Sequence, residues 1–406
     1  MSLLLKKIYH RSHNKVMKAA SMLIPFPVPE LLKGDDSLSL LVNHKKMKKL
    51  KNILIVTDKG LMDLNLLDEL FSLLKSKGIN YVVYDKVQAN PTIENVENGR
   101  LLYKEKKCDA IIAFGGGSPI DCAKVIGARV NNSYRSVKKM KGLFKVWLPI
   151  PPLFCIPTTA GTGSETTIVA VITDSRTHEK FAINDLKLVP KVAVLNSKLM
   201  KGLPPHITST TGMDALTHAI EAYIGLNGTK LTDEKAKKAV KLIMANLENV
   251  YKDGSDLEAR ADMALASFDA GIAFTRAYIG YVHAIAHNMG GLYGVPHGLA
   301  NAIILPHVLD FSFKNSIDKL ADLAKAASIG DKNDNNEVLA RKFIDKIKKM
   351  NKNMNIPSSI KELKEKDIPL IIKRVFKEAH PSYPVPRIMS YSDCESLVEQ
   401  LLVNKA

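Results

Sequence analysis

One carboxylate and four imidazoles recur between residues 214 and 297 at spacings that suit a bound metal ion. In Gly212-Met213-Asp214-Ala215-Leu216-Thr217-His218-Ala219-Ile220-Glu221 the surroundings read as helix. Asp214 and His218, four residues apart, therefore project from one face, one above the other. Tyr281-Val282-His283-Ala284-Ile285-Ala286-His287 repeats that spacing with His283 and His287. His297 follows in Val295-Pro296-His297-Gly298, where Gly294 and Pro296 are expected to end one helix and let another begin. One carboxylate and three imidazoles without thiolate make a nitrogen and oxygen site for Fe(II), Zn or Ni, and argue against an iron–sulfur cluster or a structural zinc. A catalytic ion is expected, because Asp and His are poor core residues yet stand here in mostly apolar, helix-forming sequence. Taken singly, each histidine reads equally well as a capping or packing residue.

A second chemistry lies upstream. The apolar run Ala110-Ile111-Ile112-Ala113-Phe114 leads straight into Gly115-Gly116-Gly117-Ser118-Pro119-Ile120-Asp121. Three glycines allow tight turns and close approach of a ligand. Ser118 as N-cap, Pro119 at the first helical position and Asp121 three residues beyond the cap form an expected helix start. Backbone N–H groups and the positive end of the helix dipole would favour a diphosphate there, the alternative being a glycine turn with no ligand. The usual dinucleotide fingerprint would need glycine where Ile120 stands, and no Walker lysine follows, so a different nucleotide-binding family is implied. After a further apolar run at residues 153–156, Pro157-Thr158-Thr159-Ala160-Gly161-Thr162-Gly163-Ser164-Glu165 offers hydroxyls and glycines to line the same crevice.

The elements that must position these groups differ between the two halves. Short apolar runs at 52–58, 81–85, 110–114 and 153–156, with helical spacing at 66–77 and 93–107, imply a parallel sheet wrapped by helices, with ligands beyond the carboxyl ends of the strands. Strands are also expected at 167–173 and 192–195. From about Pro204-Pro205 onward nearly every segment has helical spacing, as in 234–249, 257–273, 315–327 and 337–350. The expected organisation is a basic arm over 1–24, an α/β nucleotide-binding domain over 25–204 and an all-helical metal-binding domain over 205–406. Residues 331–336 read as a surface loop rather than a calcium loop, since the EF-hand glutamate spacing is missing.

Composition limits the function classes. A length of 406 residues accommodates two cores, and 46% hydrophobic with 24% charged residues is ordinary for a globular protein. No membrane span is expected, because prolines and lysines interrupt the best apolar candidate at 143–156. Cys108, Cys122, Cys155 and Cys394 form no CxxC pair, which fits a reducing compartment and a cytoplasmic location. The net charge of +17 comes from lysines spread along the chain, so no nucleic-acid partner is expected. Residues before Glu30 contain no acid, a feature of transit peptides and of ordinary basic helices alike. Ile24-Pro25-Phe26-Pro27-Val28-Pro29 should break any helix before the first domain.

In their order, Gly115-Gly116-Gly117-Ser118-x-x-Asp121, Pro157-Thr158-Thr159-x-Gly161-Thr162-Gly163-Ser164-Glu165, Gly212-Met213-Asp214-Ala215-Leu216-x-His218-x-x-Glu221 and His283-x-x-x-His287 through Pro296-His297-Gly298 resemble the iron-containing alcohol dehydrogenases. The resemblance covers residues 25–406. It implies an N-terminal α/β nucleotide domain and a C-terminal helical domain in the dehydroquinate synthase-like architecture, with the active site in the cleft between them. By the same resemblance, Asp214, His218, His283 and His297 are the metal ligands. His287 stays beside cofactor and substrate as the catalytic residue that relays a proton. Gly115, Gly116, Gly117, Ser118 and Asp121 belong to the diphosphate turn, Thr158, Thr159 and Thr162 line the nicotinamide side, and Lys180 matches a family lysine near the cofactor. Phe274 lies in the stretch that faces the substrate in the family. The ion implied is Fe(II), with Zn as the alternative. Hydride would pass between a small alcohol or aldehyde and a nicotinamide, the ion acting as Lewis acid. The family also implies a homo-oligomer, a dimer or larger.

NAD is expected over NADP. The residue matching Asp58 lies near the adenosine ribose in the family, where a carboxylate accepts hydrogen bonds from the hydroxyls and repels a 2′-phosphate. Glycerol dehydrogenase and a dehydroquinate synthase-like lyase are the alternatives on the same fold. Alanine, isoleucine and methionine around Asp214 and His283 stand where a sugar-phosphate enzyme needs extra basic residues. Tyr383-Pro384-Val385-Pro386-Arg387 departs from the family's Asn-Pro-Arg ending near the pocket, which leaves the alcohol open.

Overall fold

The computed structural model describes residues 3–177 and 179–403. The chain forms two compact units. Phe26–Leu203 and Ser255–Phe268 make one; Pro204–Gly254, the chain from Asp269 on and the N-terminal segment through Pro25 make the other.

Among the described residues the first unit carries β1 (Glu30–Lys33), β2 (Asn52–Val56), β3 (Asn80–Tyr84), β4 (Ala110–Gly115), β5 (Gly142–Leu143), β6 (Leu153–Pro157), β7 (Val169–Asp174), β8 (Glu179–Asn184) and β9 (Val192–Leu195). Six of them form a wholly parallel sheet in the order β1-β9-β6-β4-β2-β3. Parallel neighbours need long crossovers, supplied by the helices Asp68–Ser76, Ile93–Glu105 and Gly117–Asn131. Every residue of β4 is buried, and four of five in β2, so these strands read as continuous apolar runs rather than alternating ones. The small sheet has the order β5-β8-β7, with β7 and β8 antiparallel.

The strand order contains one reversal. β3 lies on one side of β2 and β4 on the other, so the chain reverses direction across the sheet between β2 and β4. Ligands of open α/β sheets bind beyond the carboxyl ends of the strands at such a reversal. Val56 pairs with Ala113, so Asp58 after β2 and the glycines closing β4 emerge side by side.

The second unit is helical. Pro204 as N-cap and Pro205 at the first position start the helix Pro205–Ile224, because neither needs a backbone N–H there. Gly294, left-handed at φ 71°, closes the helix Tyr281–Tyr293, and Pro296 opens His297–Ala326, as the sequence spacing implies. No helix among the described residues is long and apolar enough to cross a membrane.

Two segments depart from the expected boundaries. Residues 1–24, read as an arm leading into the first domain, carry the helix Leu3–Leu23, which packs with the second unit. Its Arg11 guanidinium donates to the carbonyls of Val385 and Pro386, 2.7 Å each, and Lys18 donates to Leu226 O at 3.0 Å. Ser255–Phe268 belongs to the first unit, where Arg260 donates to Leu203 O at 3.4 Å. Three strands also went unanticipated, among them the two-residue β5. β1 is a four-residue edge with only two apolar residues, while β8 opens on the exposed Glu179 and Lys180 and alternates buried and part-buried positions only from Phe181 on.

Candidate metal centre and nucleotide turn

Three elements of the helical unit bring the metal candidates together. Asp214 lies on the helix Pro205–Ile224, His283 on Tyr281–Tyr293, and His297 is the first residue of His297–Ala326. Among the described residues, Asp214, His283 and His297 offer ligand atoms all within 4.8 Å of one another. Asp214 Oδ1 stands 3.8 Å from His283 Nε2 and 3.5 Å from His297 Nε2. Donor atoms about 2.1 Å from one ion lie roughly 3.0–3.5 Å apart, so this spacing fits an ion with little adjustment. His283 Nε2 is buried and has no hydrogen-bond partner, an arrangement that protein groups alone leave uncompensated. Side-chain exposure is 2% at His283 and 4% at Asp214 but 40% at His297, so the centre opens to solvent on one side.

His218 is adjacent to that set but outside it. Its ring stacks on His283, centroids 4.4 Å apart, and on Phe274 at 4.1 Å. Phe274 therefore touches the expected ligand set instead of standing only as a pocket wall. His287 is also outside the set, its ring stacked parallel to His297 at 5.2 Å. The Nδ1 atom of His287 lies 2.7 Å from Glu378 Oε1, and Tyr383 Oη donates to the same oxygen at 2.7 Å. Burial opposes ionisation of Glu378, but His287 and Tyr383 outweigh it and hold the carboxyl below its ordinary range.

The supporting groups were not singled out from the sequence. Glu221 Oε2 is 2.6 Å from His283 Nδ1, and its carboxylate also accepts from the backbone N–H groups of Gly280 and Val282 at 2.8 and 2.7 Å. His283 thus carries its proton on Nδ1 and presents the Nε2 lone pair to Asp214. Burial keeps His283 neutral, driving its pKa well below the usual imidazole value, and the neighbouring His218, His297 and His287 push the same way. Burial also raises Glu221 to about 7 against the N–H donors that lower it. Asn301, one turn after His297, donates to Asp214 Oδ1 at 2.6 Å and lies 3.2 Å from His297 Nε2. The available signal was a carboxylate three positions beyond His218 in an otherwise apolar helix, and an amide four positions beyond His297.

In the first unit, Gly115 takes φ 145°, and a Cβ there would stand 2.7 Å from Pro119 Cγ, so glycine is required for both conformation and space. The helix begins at Gly117 with Gly116 as N-cap, not at Pro119 with Ser118 as cap. Proline is tolerated throughout a first turn, whose N–H groups lack intrahelical partners, so Pro119 did not mark the first position. Ser118 Oγ instead accepts from Asn90 N at 3.3 Å, and Lys180 Nζ donates to Asn90 Oδ1 at 2.8 Å, which ties Lys180 to the turn. Burial lowers the pKa of Lys180. Thr159 and Thr162 face Gly116 and Gly117. A Cβ would lie 3.4 Å from Thr159 Oγ1 at Gly116, and 2.8 Å from Thr162 Cγ2 at Gly117. Thr158 is buried, its N–H donating to Gly115 O at 3.1 Å, so it joins the two segments instead of lining the open surface. Asp121 points away from the turn and accepts from Ser164 Oγ at 2.6 Å and Val171 N at 2.9 Å. Asp58 caps the helix Lys59–Asp63 through Oδ1, which accepts from Leu61 N at 3.1 Å.

Comparison with known proteins places these groups in a family context. Residues 29–197 match the family described as iron-containing alcohol dehydrogenase, and residues 208–402 match the Fe-containing alcohol dehydrogenase family, C-terminal. Alcohol dehydrogenase 4 of Schizosaccharomyces pombe is 39% identical over 370 residues, 90% of this chain and 86% of that one. The NAD-dependent methanol dehydrogenase of Bacillus methanolicus is 37% identical over 354 residues, 87% of this chain and 92% of its own. The crystal structure of a 1,3-propanediol oxidoreductase superposes with a TM-score of 0.89 at 35% identity, covering 93% of this chain and 100% of that one.

Proposed function

This chain belongs to the iron-containing alcohol dehydrogenase family and is a metal-dependent, NAD(P)-linked alcohol dehydrogenase or aldehyde reductase, and we propose that Asp214, His218, His283 and His297 hold its ion. The observation that carries this assignment is His283 Nε2, buried without a hydrogen-bond partner and directed at Asp214 while Glu221 fixes the other ring nitrogen. A divalent ion there supplies a Lewis acid that polarises the oxygen of an alcohol or aldehyde. The nitrogen and oxygen donor set suits Fe(II), our preferred ion, and admits Zn.

The chain's own groups do the rest. Glu221 and Asn301 keep His283 and Asp214 in place, as outer partners of a metal site do. His287 takes the proton that leaves the alcohol, with Glu378 holding its Nδ1 atom and balancing the charge. Gly116, Gly117 and Ser118 hold the diphosphate, supported by their place at the sheet's reversal and at a helix N-terminus. Thr159, Thr162 and Lys180 line the same turn. NAD is the preferred cofactor, because Asp58 caps its helix through Oδ1 and leaves a carboxylate at the end of β2 to repel a 2′-phosphate. The substrate is a small alcohol, diol or aldehyde. Free, buried cysteines support a reducing compartment such as the cytoplasm. Exposed Phe144, Trp147 and Leu148 support a homo-oligomer.

The test is purification without oxygen, metal analysis, and kcat/KM for NAD and NADP across short alcohols, diols and aldehydes. Asp214→Ala and His283→Ala should each strip the metal and abolish turnover while NAD binds as before, since the turn lies in the other unit. Full activity from a metal-free variant would overturn the assignment.

A further inference from the structure

Lys124 is fully buried, a rare state for a lysine, and sits in the apolar run Cys122-Ala123-Lys124-Val125-Ile126. Its three ammonium protons are all placed. Nζ donates to Thr167 O at 2.8 Å, Thr167 Oγ1 at 2.9 Å and Val169 O at 2.8 Å. Asp121, three residues earlier and on the same helix face, receives Ser164 Oγ and Val171 N. One face of the helix Gly117–Asn131 thus grips the chain at 164, 167, 169 and 171.

The gripped segment is the far end of the stretch whose near end meets the glycine turn. Thr158 N–H is bound to Gly115 O, and Thr159 and Thr162 lie against Gly116 and Gly117. Between these anchors run Ala160, Gly161 and Gly163, the last in the left-handed region at φ 59°. Such a stretch has little side chain to bury and many conformations to lose, so its shape has to be imposed from its ends. A leucine in place of Lys124 would remove all three donors at once and leave the carbonyl of buried Thr167 without its ammonium partner.

We propose that Lys124 and Asp121 are positioning residues that brace the Thr159–Thr162 wall against the glycine turn, and that this brace, without touching the cofactor, sets the affinity for the dinucleotide. The inference rests on the turn being the dinucleotide site. Asp121 accordingly acts through Ser164 and the segment behind it.

NADH and NADPH titrations by fluorescence, with melting temperature, metal content and steady-state kinetics, test this on the metal-loaded enzyme. Thr167→Val removes one acceptor of the ammonium and keeps the shape; Thr167→Ser restores it. Thr167→Val should raise the dissociation constant for the preferred nucleotide about fivefold and Lys124→Met about tenfold or more. KM for the nucleotide should rise in step, while KM for the alcohol and metal content stay at wild-type values, and Thr167→Ser should bind as wild type. A lower melting temperature with nucleotide affinity unchanged within twofold would overturn the brace. Should Lys124→Met fail to fold, the Thr167 pair decides alone. Gly117→Val is run in parallel, because its Cβ would displace Thr162. Loss of binding there with none in Thr167→Val rejects the brace and keeps the turn; unchanged binding in Gly117→Val rejects the turn itself.

Discussion

A ligand imidazole is only as good as the group behind it. His283 has one nitrogen 2.6 Å from Glu221 and the other aimed at Asp214, so a single carboxylate decides which nitrogen is free to bind. The same carboxylate receives two backbone N–H groups at the start of the helix Tyr281–Tyr293, and a side chain on Gly280 would strike it at 2.7 Å. Glu221 therefore fixes both the ring and the helix that carries it. Glu221→Gln keeps the size but loses the charge, and its NH2 end would face N–H donors if turned the wrong way. The expected result is a 10- to 100-fold weaker metal affinity. Turnover should recover when metal is supplied in excess, with nucleotide affinity unchanged. Metal titration of the chelated protein checks it, and wild-type metal affinity in Glu221→Gln would remove the carboxylate from the centre.

Between elements, the centre depends on how closely two helices approach. Gly298 follows His297, and a Cβ on it would lie 2.3 Å from Thr210 O, a backbone atom of the helix that carries Asp214, and 3.5 Å from Asp214 Cβ. Gly298→Ala forces the helices apart by part of an ångström, at an overpacking cost of about 1–3 kcal/mol. Because Asp214 and His297 ride on the two helices, the substitution should lower the melting temperature and weaken metal binding together; a loss of stability with metal affinity intact would separate packing from the site. The sequence shows the glycine but not what it meets. Helical period puts Asp214 near His218 and His283 near His287 without any structure, and the apolar run before the three glycines marks a strand feeding a helix. What period cannot supply is partners distant in the chain. Glu221 and His283 are 62 positions apart, Asn301 and Asp214 are 87, and Lys124 and Thr167 are 43. The helix cap was misplaced for a local reason: serine is a favoured cap, but Gly116 in extended backbone lets the helix start two residues sooner.

For the whole molecule, a chain with a net charge of +17 carries most of its lysines at the surface, where ion pairs contribute little and salt screens them. The consequential charges are the buried ones. Burial raises Glu165 to about 7, with its own backbone N–H and Lys124 pulling the other way. An unfolded chain releases that proton near pH 4.5, whereas the folded one keeps it until about pH 7. Across that window the unfolded state binds fewer protons, so stability falls as pH rises and levels off above about pH 7. The fall attributable to this group is on the order of 3 kcal/mol. Overall stability also responds to the changing net charge, so the wild-type curve alone would mix the two effects. Comparing Glu165→Gln with wild type at each pH removes the shared part. The variant should match wild type near pH 4.5 or below, gain on it steadily up to about pH 7, and keep a constant lead above that. Urea midpoints from pH 4 to 9 in about 0.15 M salt provide the measurement. A difference that does not change with pH would mean that Glu165 titrates in the folded protein where it does in the unfolded chain, and a lead that falls as pH rises through about 4.5 would mean that Lys124 holds it ionised.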